Sequence, residues 1–358
     1  MVARRADPAA PVPLAEVHEL VDPALLPGRS SFTVEPGGQV ELSSAPAADL
    51  STLCADLTRD VDVLVGSLAR GGLVLVPYAT DPVRSPVRQL SSPRYDAMAT
   101  YFGTLPHELG HVMMCSTAAV QVNLDAGHDA ADVTRRWRVL EALGPPLVAA
   151  FANSPARAGH LTGWRSTRQA VWQGMEPRRT HAPVGDDPVA AWADYALAAP
   201  VMVLRRDERP WVAAPGFTFH DWVERRVPGL APPTEDDLAY HLTTLFPPVR
   251  PRGWFEVRYL DAQHPDWWPV PVAVLTTALE HADIHDDLLA ACAPTAGAWL
   301  VAARVAVADP VLARAASDVL DLVTPRVVDP VLRDRVQTFR DHYLDRGRCP
   351  ANDAEEAR

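Results

Sequence analysis

Two acidic residues flank a short turn near the start of the chain. Glu35 and Glu41 stand on either side of the sequence Pro-Gly-Gly at 36–38. Glu-Pro-Gly-Gly predicts a type II turn, because proline presets φ at the second position and Gly37 supplies a positive φ at the third. Such a turn folds the two carboxylates toward each other, and carboxylate oxygens suit a hard cation such as Mg²⁺. A surface hairpin with solvated acids is the alternative.

A second feature is the polar face of a strand predicted over residues 113–125. Apolar and polar residues alternate there, and a period of two puts the two sets on opposite faces of a β-strand. The apolar set is Ala118, Val120, Val122 and Leu124, and the polar set includes Thr117, Gln121 and Asn123. Because this polar face carries no charge before Asp125, we interpret its side chains as ligand-facing. An ordinary exposed face is the alternative.

A third feature places an acid beside an arginine. In a strand predicted over 254–260, Glu256 and Arg258 share one face, while Val257 and Tyr259 share the other. An adjacent acid and arginine suit a metal ligand next to a clamp for phosphate or carboxylate. A simple cross-strand ion pair is the alternative.

Arginines are concentrated between residues 164 and 180, at Arg165, Arg168, Arg178 and Arg179. The guanidinium fork matches carboxylates and phosphates bidentately. The segment is therefore a candidate dock for an anionic substrate or for nucleotide phosphates. A solvated basic loop is the alternative.

Residues 107–111 match the zinc-protease motif HExxH. That motif needs both histidines on one helical face with helix on either side. Here Pro106 immediately precedes His107, and Gly110 lies inside the motif. We interpret the segment as a loop and turn between a helix at 92–102 and the strand at 113–125.

Composition excludes several classes of function. The chain has 358 residues and a formal net charge of −12, which argues against nucleic-acid binding and against binding to an anionic membrane surface. All 33 basic residues are arginine, so Schiff-base chemistry at lysine and a P-loop lysine are both excluded.

The cysteines and the N-terminus predict a cytoplasmic protein without a membrane span. The four cysteines are widely spaced, form no CxxC motif, and fit a reducing compartment. The first residues contain no apolar segment of the kind found in secretory signals. No run in the sequence approaches the ~18 apolar residues of a membrane-spanning helix.

Hydrophobic periodicity, caps and breakers predict an α+β protein with a helical C-terminal part. The predicted helices are 47–70, 92–102 with Ser92 as its cap, 129–142, 187–198, 234–245 with Thr234 as its cap, and a helical series over about 269–345. The predicted strands, besides 113–125 and 254–260, are those around the turn at 31–43, 73–78 and 200–205. We expect a single domain over 31–345 and a disordered tail over 346–358.

Eight segments taken together resemble the glutamate–cysteine ligases of the plant and proteobacterial type, and in particular the actinobacterial branch of the ergothioneine pathway. The matching segments are 33–43, 93–98, 113–125, 151–155, 166–180, 194–197, 241–250 and 256–258, spanning about residues 30 to 285. Their order and compatible spacing are far more specific than any single motif.

The resemblance implies a fold related to the catalytic domain of glutamine synthetase: a curved, mostly antiparallel sheet that forms a funnel packed by helices. It implies that L-glutamate, L-cysteine and ATP are converted to γ-glutamylcysteine, ADP and phosphate, with Mg²⁺ as cofactor. The γ-carboxylate is phosphorylated first, because a carboxylate is a poor acyl donor, and the cysteine amine then displaces phosphate.

The resemblance also implies roles for individual residues. Glu35, Glu41 and Glu256 would be metal ligands at the funnel mouth. Gln121, together with Asn123 and Thr117, would face substrate or metal. Arg168 would hold the α-carboxylate of glutamate, Trp172 would line the glutamate pocket, and Arg179 and Arg258 would contact the phosphates of ATP.

The N-terminus departs from the family pattern. Family members carry an earlier strand of the form Gly-x-Glu-x-Glu that supplies further metal ligands, and no such strand precedes Glu35 here. Either the start codon is misplaced or residues 1–30 are a truncated N-terminal segment, and we expect impaired ligation by the chain as given relative to an extended version.

Three alternatives to glutamate–cysteine ligation stay open at this point. They are a related carboxylate–amine ligase with another amine acceptor, a catalytically weak or inactive truncated form, and a zinc protease. The oligomeric state and the choice between the ergothioneine and glutathione pathways are not determined by the sequence.

Overall fold

The chain combines many helices with short antiparallel strands, as the sequence predicts for an α+β protein. The structure, a computed structural model, describes residues 1–185, 187–205, 210–214 and 216–357. The strands are β1 (Val2–Arg4), β2 (Ser31–Val34), β3 (Val40–Ser43), β4 (Leu73–Leu75), β5 (Ala119–Asp125), β6 (Ala156–Arg157), β7 (His160–Leu161), β8 (Val249–Pro251) and β9 (Trp254–Asp261). The helices are α1 (Leu14–Leu20), α2 (Leu50–Arg70), α3 (Pro93–Phe102), α4 (Leu109–Ser116), α5 (Ala130–Ala150), α6 (Thr167–Met175), α7 (Pro177–Thr180), α8 (Pro188–Ala198), α9 (Phe219–Val223), α10 (Glu235–Leu242), α11 (Pro269–Glu280), α12 (His285–Cys292), α13 (Trp299–Val305), α14 (Pro310–Val323), α15 (Pro330–His342) and α16 (Pro350–Glu356).

All the strand pairings in the described part of the chain are antiparallel. The central sheet has three strands in the order β5-β9-β8, while β2 pairs with β3, β1 with β4 and β6 with β7. A register shift between Val120 and Val122 interrupts the β5–β9 ladder, so Gln121 lies at an irregularity of the strand. Beyond it, Asn123 pairs with Glu256.

The hairpin between β2 and β3 is confirmed, but its turn is not type II. Gly38, at φ +89°, adopts the left-handed conformation, whereas Gly37 does not. The Gly38 amide closes the turn by donating to the Glu35 carbonyl at 2.9 Å. Gly37 is needed for a different reason: a Cβ there would lie 2.0 Å from the backbone oxygen of Cys115. Gly37 therefore lets the hairpin pack closely against the Cys115 backbone, and Gly38 lets the chain reverse direction.

The strand predicted over 113–125 is wrong in its first third. Residues up to Ser116 belong to α4, and β5 begins at Ala119. The apolar side chains of Val112, Met113 and Met114 are buried in a cluster formed with α3 and α6. A short apolar run fits a strand and a buried helix equally well, so packing against neighbouring helices decides the outcome.

Helix α5 extends beyond the end predicted for it at residue 142. It continues through Pro145 and Pro146 to Ala150, although proline in a helix interior costs about 3 kcal/mol. Every residue from Leu143 to Ala150 is buried, many of them at the centre of the largest hydrophobic cluster. Burial of this apolar segment against the C-terminal helices offsets the local cost.

The C-terminal part is helical as predicted, but the tail is not disordered. Residues of α16 pack against the body of the protein, and Ala351 donates its amide to the Ala152 carbonyl at 2.8 Å. Cys349 is buried, and Arg165 forms an ion pair with Glu355. The prediction of a disordered tail over 346–358 is therefore wrong for 346–357; Arg358 lies outside the described residues.

The remaining predicted elements are mostly confirmed. Ser92 and Thr234 cap their helices by accepting hydrogen bonds from the amides of Tyr95 and Asp237, and the helices predicted from residues 47 and 187 are present. The strand predicted over 200–205 is reduced to isolated bridges at Pro200 and Val203.

The N-terminal residues form a small layer of their own. Strand β1 pairs with β4, and Val2, Val17 and Leu68 are buried together in a separate hydrophobic cluster. In the part of the chain that is described, no single helix is both long and apolar enough to cross a membrane, although the bent pair 282–295 and 299–308 passes that test by length and composition.

Candidate active site

A cavity of about 450 Å³ lies between the β2–β3 hairpin, helices α3, α4 and α6, and the face of the β5-β9-β8 sheet. Eight residues predicted from the sequence line it: Glu35, Glu41, Thr117, Gln121, Arg168, Trp172, Glu256 and Arg258. Residues far apart along the chain therefore converge on one cavity. The other two predicted residues, Asn123 and Arg179, do not line it.

The hairpin presents its two acids on one face. Glu41 pairs with Thr33, and Glu35 donates its amide to the Gln39 carbonyl at 2.8 Å. Because side chains alternate along a strand, this register places Glu35 and Glu41 diagonally on the same face. Both acids line the same cavity, and the charge of Glu41 acts on Glu35.

The side chain of Gln39 attaches the hairpin to the cavity wall. Its amide nitrogen donates to the carbonyls of Met114 at 3.3 Å and Thr117 at 3.0 Å, and its oxygen accepts from the Gly37 amide at 2.9 Å. Gln39 is only 4% exposed. The hairpin is thus fixed to the C-terminal end of α4 by buried hydrogen bonds.

Glu35 is in an environment that disfavours its charge. Burial and the nearby charge of Glu41 raise the pKa of Glu35, and Arg258 and Arg94 only partly oppose that rise. Within the described residues, no hydrogen bond or ion pair engages its carboxylate. A cation close to this carboxylate would relieve the unfavourable electrostatics.

Glu256 is in the opposite situation, because two arginines neutralise it. Arg250 donates from Nε to one carboxylate oxygen at 2.6 Å, and Arg258 donates from Nη1 to the other at 2.9 Å. Burial acts to raise the pKa of Glu256, but the charges of Arg258 and Arg250 outweigh it and hold that pKa below its usual value.

Arg258 links the sheet to the aromatic wall of the cavity. It also donates to the Gln121 side-chain oxygen at 2.9 Å, and its guanidinium carbon lies 5.7 Å from the ring centroid of Trp172 and 5.8 Å from that of Phe246. Burial, with the charge of Arg250, lowers the pKa of Arg258 to about 10, so the side chain stays protonated at neutral pH. Its buried Nε atom has no hydrogen-bond partner within the residues that the structure describes.

Arg168 enters the cavity from the first turn of α6. It is 3% exposed and donates from Nη2 to the Arg258 carbonyl at 2.6 Å. Burial lowers the pKa of Arg168 to about 10, with Asp261 opposing the shift. Among the described residues, its Nη1 atom has no hydrogen-bond partner, and neither does the indole nitrogen of Trp172, whose ring centroid lies 5.7 Å from the Arg168 guanidinium carbon.

Asn123 faces the same side of the sheet but lies beyond the cavity. Its side-chain oxygen accepts a hydrogen bond from the Trp254 indole at 3.2 Å, and both residues are exposed. Thr117 does line the cavity, but its hydroxyl donates to the Met113 carbonyl at 2.7 Å as part of the end of α4.

Arg179 is fully buried away from the cavity. Its guanidinium donates to Glu176 Oε2 at 2.7 Å, to the Thr244 carbonyl at 2.8 Å and to the Pro200 carbonyl at 2.5 Å. The structure therefore does not bring Arg179 to the site predicted for it. The arginines of this segment diverge: Arg165 pairs with α16, Arg168 lines the cavity, and Arg178 is exposed.

Several lining residues were not identified from the sequence. They are Arg94, Tyr95, Arg250, Arg252 and the methionines Met98, Met113 and Met114. Most of them fall inside segments that carry the family resemblance, which was the available signal. Their individual roles depend on tertiary contacts, such as the hydrogen bonds from Arg94 to the hydroxyl and carbonyl oxygens of Thr243 at 2.9 and 3.0 Å.

The charges around the cavity favour anionic ligands. Its lining contains five arginines and three glutamates, an excess of two positive charges. Glu35 and Glu41 fit a divalent cation, since they are paired hard oxygen donors and the carboxylate of Glu35 is not otherwise engaged. Glu256 fits less well, because both of its oxygens are bound by arginine.

Over the described residues, no group of three or more His, Cys, Asp or Glu side chains is arranged to hold a metal ion. The predicted cage of three acids is therefore not assembled. Two carboxylates are still an ordinary protein contribution to Mg²⁺, which keeps water ligands and takes oxygens from substrate phosphates.

The HExxH segment does not form a zinc site of the protease type. Helix α4 begins only at Leu109, so His107 precedes it. His111 lies within hydrogen-bond distance of the Pro86 carbonyl, 3.2 Å from its Nε2. Both histidines border a separate cavity of about 430 Å³, which shares no lining residue with the charged one.

The fold and the cavity define an α+β protein with an arginine-rich pocket faced by an acidic hairpin, an arrangement suited to small anionic substrates. The chain belongs to glutamate-cysteine ligase family 2 (GCS2), whose model matches residues 2–353.

Sequence similarity to glutamate–cysteine ligases of other organisms supports this assignment. The chain is 45% identical to "Glutamate--cysteine ligase EgtA" of Mycobacterium tuberculosis over 349 residues, covering 95% of this chain and 79% of that protein. It is 43% identical to the protein of the same name in Mycolicibacterium smegmatis over 346 residues, covering 93% and 79%. It is 34% identical to the chloroplastic glutamate–cysteine ligase of Brassica juncea over 242 residues, covering 65% and 46%.

Proposed function

We propose that this protein joins the γ-carboxyl group of L-glutamate to the amine of L-cysteine, with consumption of ATP and a requirement for Mg²⁺. The product is γ-glutamylcysteine, and the by-products are ADP and phosphate. Family membership supports the overall reaction, and the geometry of the cavity supports the roles that we assign to its lining residues.

The observation that carries the proposal is a set of buried hydrogen-bond donors, on residues that line the cavity, that have no partner in the described part of the chain. They are Nη1 of Arg168, Nε of Arg258 and Nε1 of Trp172. An unpaired buried donor costs about 1–3 kcal/mol, so donors grouped in this way indicate an acceptor that arrives with a ligand. Carboxylate and phosphate oxygens are such acceptors, and glutamate and ATP supply both.

The proposed chemistry has two steps. An oxygen of the glutamate γ-carboxylate attacks the γ-phosphorus of ATP, and the bond from that phosphorus to the bridging oxygen breaks to release ADP. The amine nitrogen of cysteine then attacks the γ-carbonyl carbon of the acyl phosphate. The carbon–oxygen bond breaks, phosphate leaves with the electron pair, and the nitrogen loses a proton to complete the amide.

We assign the substrate contacts from the positions of the lining residues. Arg168, stacked on Trp172, binds the α-carboxylate of glutamate, because it is buried, protonated and retains a free donor. Arg258 stabilises the charge that develops on the transferring phosphoryl group. Gln121 orients Arg258 through their hydrogen bond.

We propose that Glu35 and Glu41 hold Mg²⁺. Glu256 is a weaker candidate ligand, because two arginines already bind its carboxylate. When bound, Mg²⁺ neutralises phosphate charge and orients the phosphoryl group for transfer. We propose structural roles for the other two residues: Asn123 binds Trp254 beyond the rim of the cavity, and Thr117 ends α4. For Arg179, the buried contacts support a structural role in place of phosphate binding.

We further propose that the short antiparallel strands around the cavity are part of a sheet of the glutamine synthetase type. The facing of the β2–β3 hairpin and the β5-β9-β8 sheet across one charged cavity supports this. We also propose that the reaction takes place in the cytoplasm, since all four cysteines are free and buried, and that its product enters ergothioneine synthesis.

One assay tests the proposed reaction. Purified protein is incubated with MgATP, L-glutamate and each of a panel of amine acceptors, and ADP and the peptide product are measured. We expect cysteine-dependent ADP release and γ-glutamylcysteine. Glutamate labelled with ¹⁸O in its γ-carboxylate should transfer one labelled oxygen to phosphate. Release of AMP and pyrophosphate, or label retained wholly in the peptide, would contradict the proposed chemistry.

A further inference from the structure

We infer that Asp261, a buried carboxylate behind the cavity wall, positions the Arg168 guanidinium for substrate binding. This rests on the proposed function and extends it to a residue that does not line the cavity. Asp261 ends strand β9, is 2% exposed, and lies at the meeting point of three segments of the chain.

Neutral donors surround the Asp261 carboxylate. Oδ2 accepts from the Asn153 amide at 2.8 Å and from the Ser154 hydroxyl at 2.8 Å, and Oδ1 accepts from the Ser166 hydroxyl at 2.9 Å. These bonds carry no countercharge, and burial raises the pKa of Asp261 while the charge of Arg168 and the three hydrogen bonds oppose that rise. A buried charge of this kind requires a countercharge nearby.

Arg168 supplies that countercharge. Its Nη1 lies 3.8 Å from Oδ1 of Asp261, close enough for a strong ionic interaction in a buried site but too far for a hydrogen bond. Asp261 therefore attracts the guanidinium without consuming a donor. With Nη2 bound to the Arg258 carbonyl, Nη1 is left available to a ligand.

Asp261 also organises the backbone that carries Arg168. The Ser166 hydroxyl donates to Asp261 and accepts from the Gln169 amide at 3.1 Å, which caps the start of α6. The Ser154 hydroxyl donates to Asp261 and accepts from the Arg168 amide at 3.1 Å. One carboxylate thus orients both ends of Arg168, its amide and its guanidinium.

Asp261→Asn tests this role. The variant removes the negative charge that faces Arg168. It also replaces one carboxylate oxygen by an NH₂ donor, although the three groups around it are themselves donors. Asp266→Asn is the matched control, since it makes the same change at an exposed residue whose one partner among the described residues is His264. Steady-state KM values for glutamate and for ATP are measured, with circular dichroism to verify the fold.

For Asp261→Asn we expect the KM for glutamate to rise about tenfold or more, because small displacements of a binding group are costly, while the KM for ATP changes less than about twofold. Ser166→Ala removes one bond to Oδ1 and should raise the glutamate KM in the same direction by less. Asp266→Asn should leave both constants unchanged. A folded Asp261→Asn protein with unchanged glutamate KM, or with both KM values raised equally, would overturn the inference.

A second readout separates this inference from the proposed function. Glutamate should raise the Tm of the wild-type protein, and Asp261→Asn should lose that shift. If the wild type ligates but Asp261→Asn keeps the shift, the inference alone fails. If the wild type neither ligates nor responds to glutamate, both fail. Should Asp261→Asn not fold, Ser166→Ala decides by the same criteria.

Discussion

The Gln39 side-chain amide donates to the backbone carbonyl of Thr117 at 3.0 Å and, with a second bond to the Met114 carbonyl, joins the acidic hairpin to the C-terminal end of α4. Together with the close approach of Gly37 to Cys115, it sets where Glu35 and Glu41 stand relative to the arginines. The position of the acids therefore depends on contacts that lie behind them.

Replacing Gln39 should loosen the hairpin. Gln39→Ala removes two donated bonds and one accepted bond from a buried site, so we expect a loss of about 1–3 kcal/mol in the free energy of unfolding. We also expect the Mg²⁺ concentration for half-maximal activity to rise, because the two acids lose their fixed position. Urea denaturation and a Mg²⁺ titration of ADP release measure the two effects. Gln337→Ala, at an exposed residue on α15, is the control and should change neither.

Glu35 should show a trade-off between stability and activity. Its pKa is raised in the fold by burial and by Glu41, so the native state binds its proton more tightly than the unfolded state does. The free energy of unfolding therefore falls as pH rises from the unfolded pKa through the folded one, and the penalty is complete only above the folded pKa. Glu35→Gln should raise Tm at pH 7 without Mg²⁺, and should lower ligation.

The Tm difference between Glu35→Gln and the wild type should shrink toward pH 4, where the wild-type carboxyl is protonated. Mg²⁺ should stabilise the wild type more than the variant. Glu19→Gln, at an exposed residue of α1, serves as the control. A Glu35→Gln protein less stable than the wild type at pH 7 would show that the carboxylate is favourably paired in the fold.

Local signals explain which parts of the site could be predicted from the sequence. The acids around the turn at 36–38 and the alternation of Glu256 and Arg258 depend on strand geometry, which short spacing reveals. The turn type was wrong because Gly37 has to meet the Cys115 backbone, and that contact joins distant segments. The α+β class was predictable because hydrophobic periodicity indicates helices and strands along the whole chain. The exact start of β5 was not predictable, because the short apolar run before it fits a strand and a buried helix equally well.

Arg168 and Arg179 show the limit most clearly. Both lie in one arginine-rich segment and both were expected at ligands, yet one lines the cavity and the other is enclosed by Tyr101, Glu176 and Thr244. Spacing along adjacent helices does not determine which face meets the cavity. Arg179 points away from the cavity because its guanidinium donates to the carbonyl of Thr244, a residue distant in sequence.

Arg179→Met should therefore act on stability. The variant leaves buried acceptors unpaired, and we expect a loss of about 3 kcal/mol or more in the free energy of unfolding. The KM for ATP of the folded fraction should stay near the wild-type value. Arg178→Met, at the exposed neighbour, should change neither quantity. A stable Arg179→Met protein with a strongly raised KM for ATP would restore the phosphate-binding role predicted from the sequence.

Glu256 should be required for both folding and catalysis. Glu256→Ala leaves Arg250 and Arg258 side by side in a buried site without their shared partner, and breaking such a group costs about 3–5 kcal/mol. Because the pKa of Glu256 is held below its usual value, its contribution is complete above the unfolded pKa and is lost as pH falls through the folded pKa. The stability difference between the wild type and Glu256→Ala should thus be large at pH 7 and smaller in acid.

The double variant Glu256→Ala with Arg250→Met separates the ionic effect from lost packing. It removes one of the two uncompensated charges, so it should recover part of the stability that Glu256→Ala loses, as measured by urea denaturation at pH 7. Ligation should not recover with it, since Arg258 still lacks the carboxylate that orients it across the sheet from Gln121. Recovery of activity together with stability would show that Glu256 serves the fold alone.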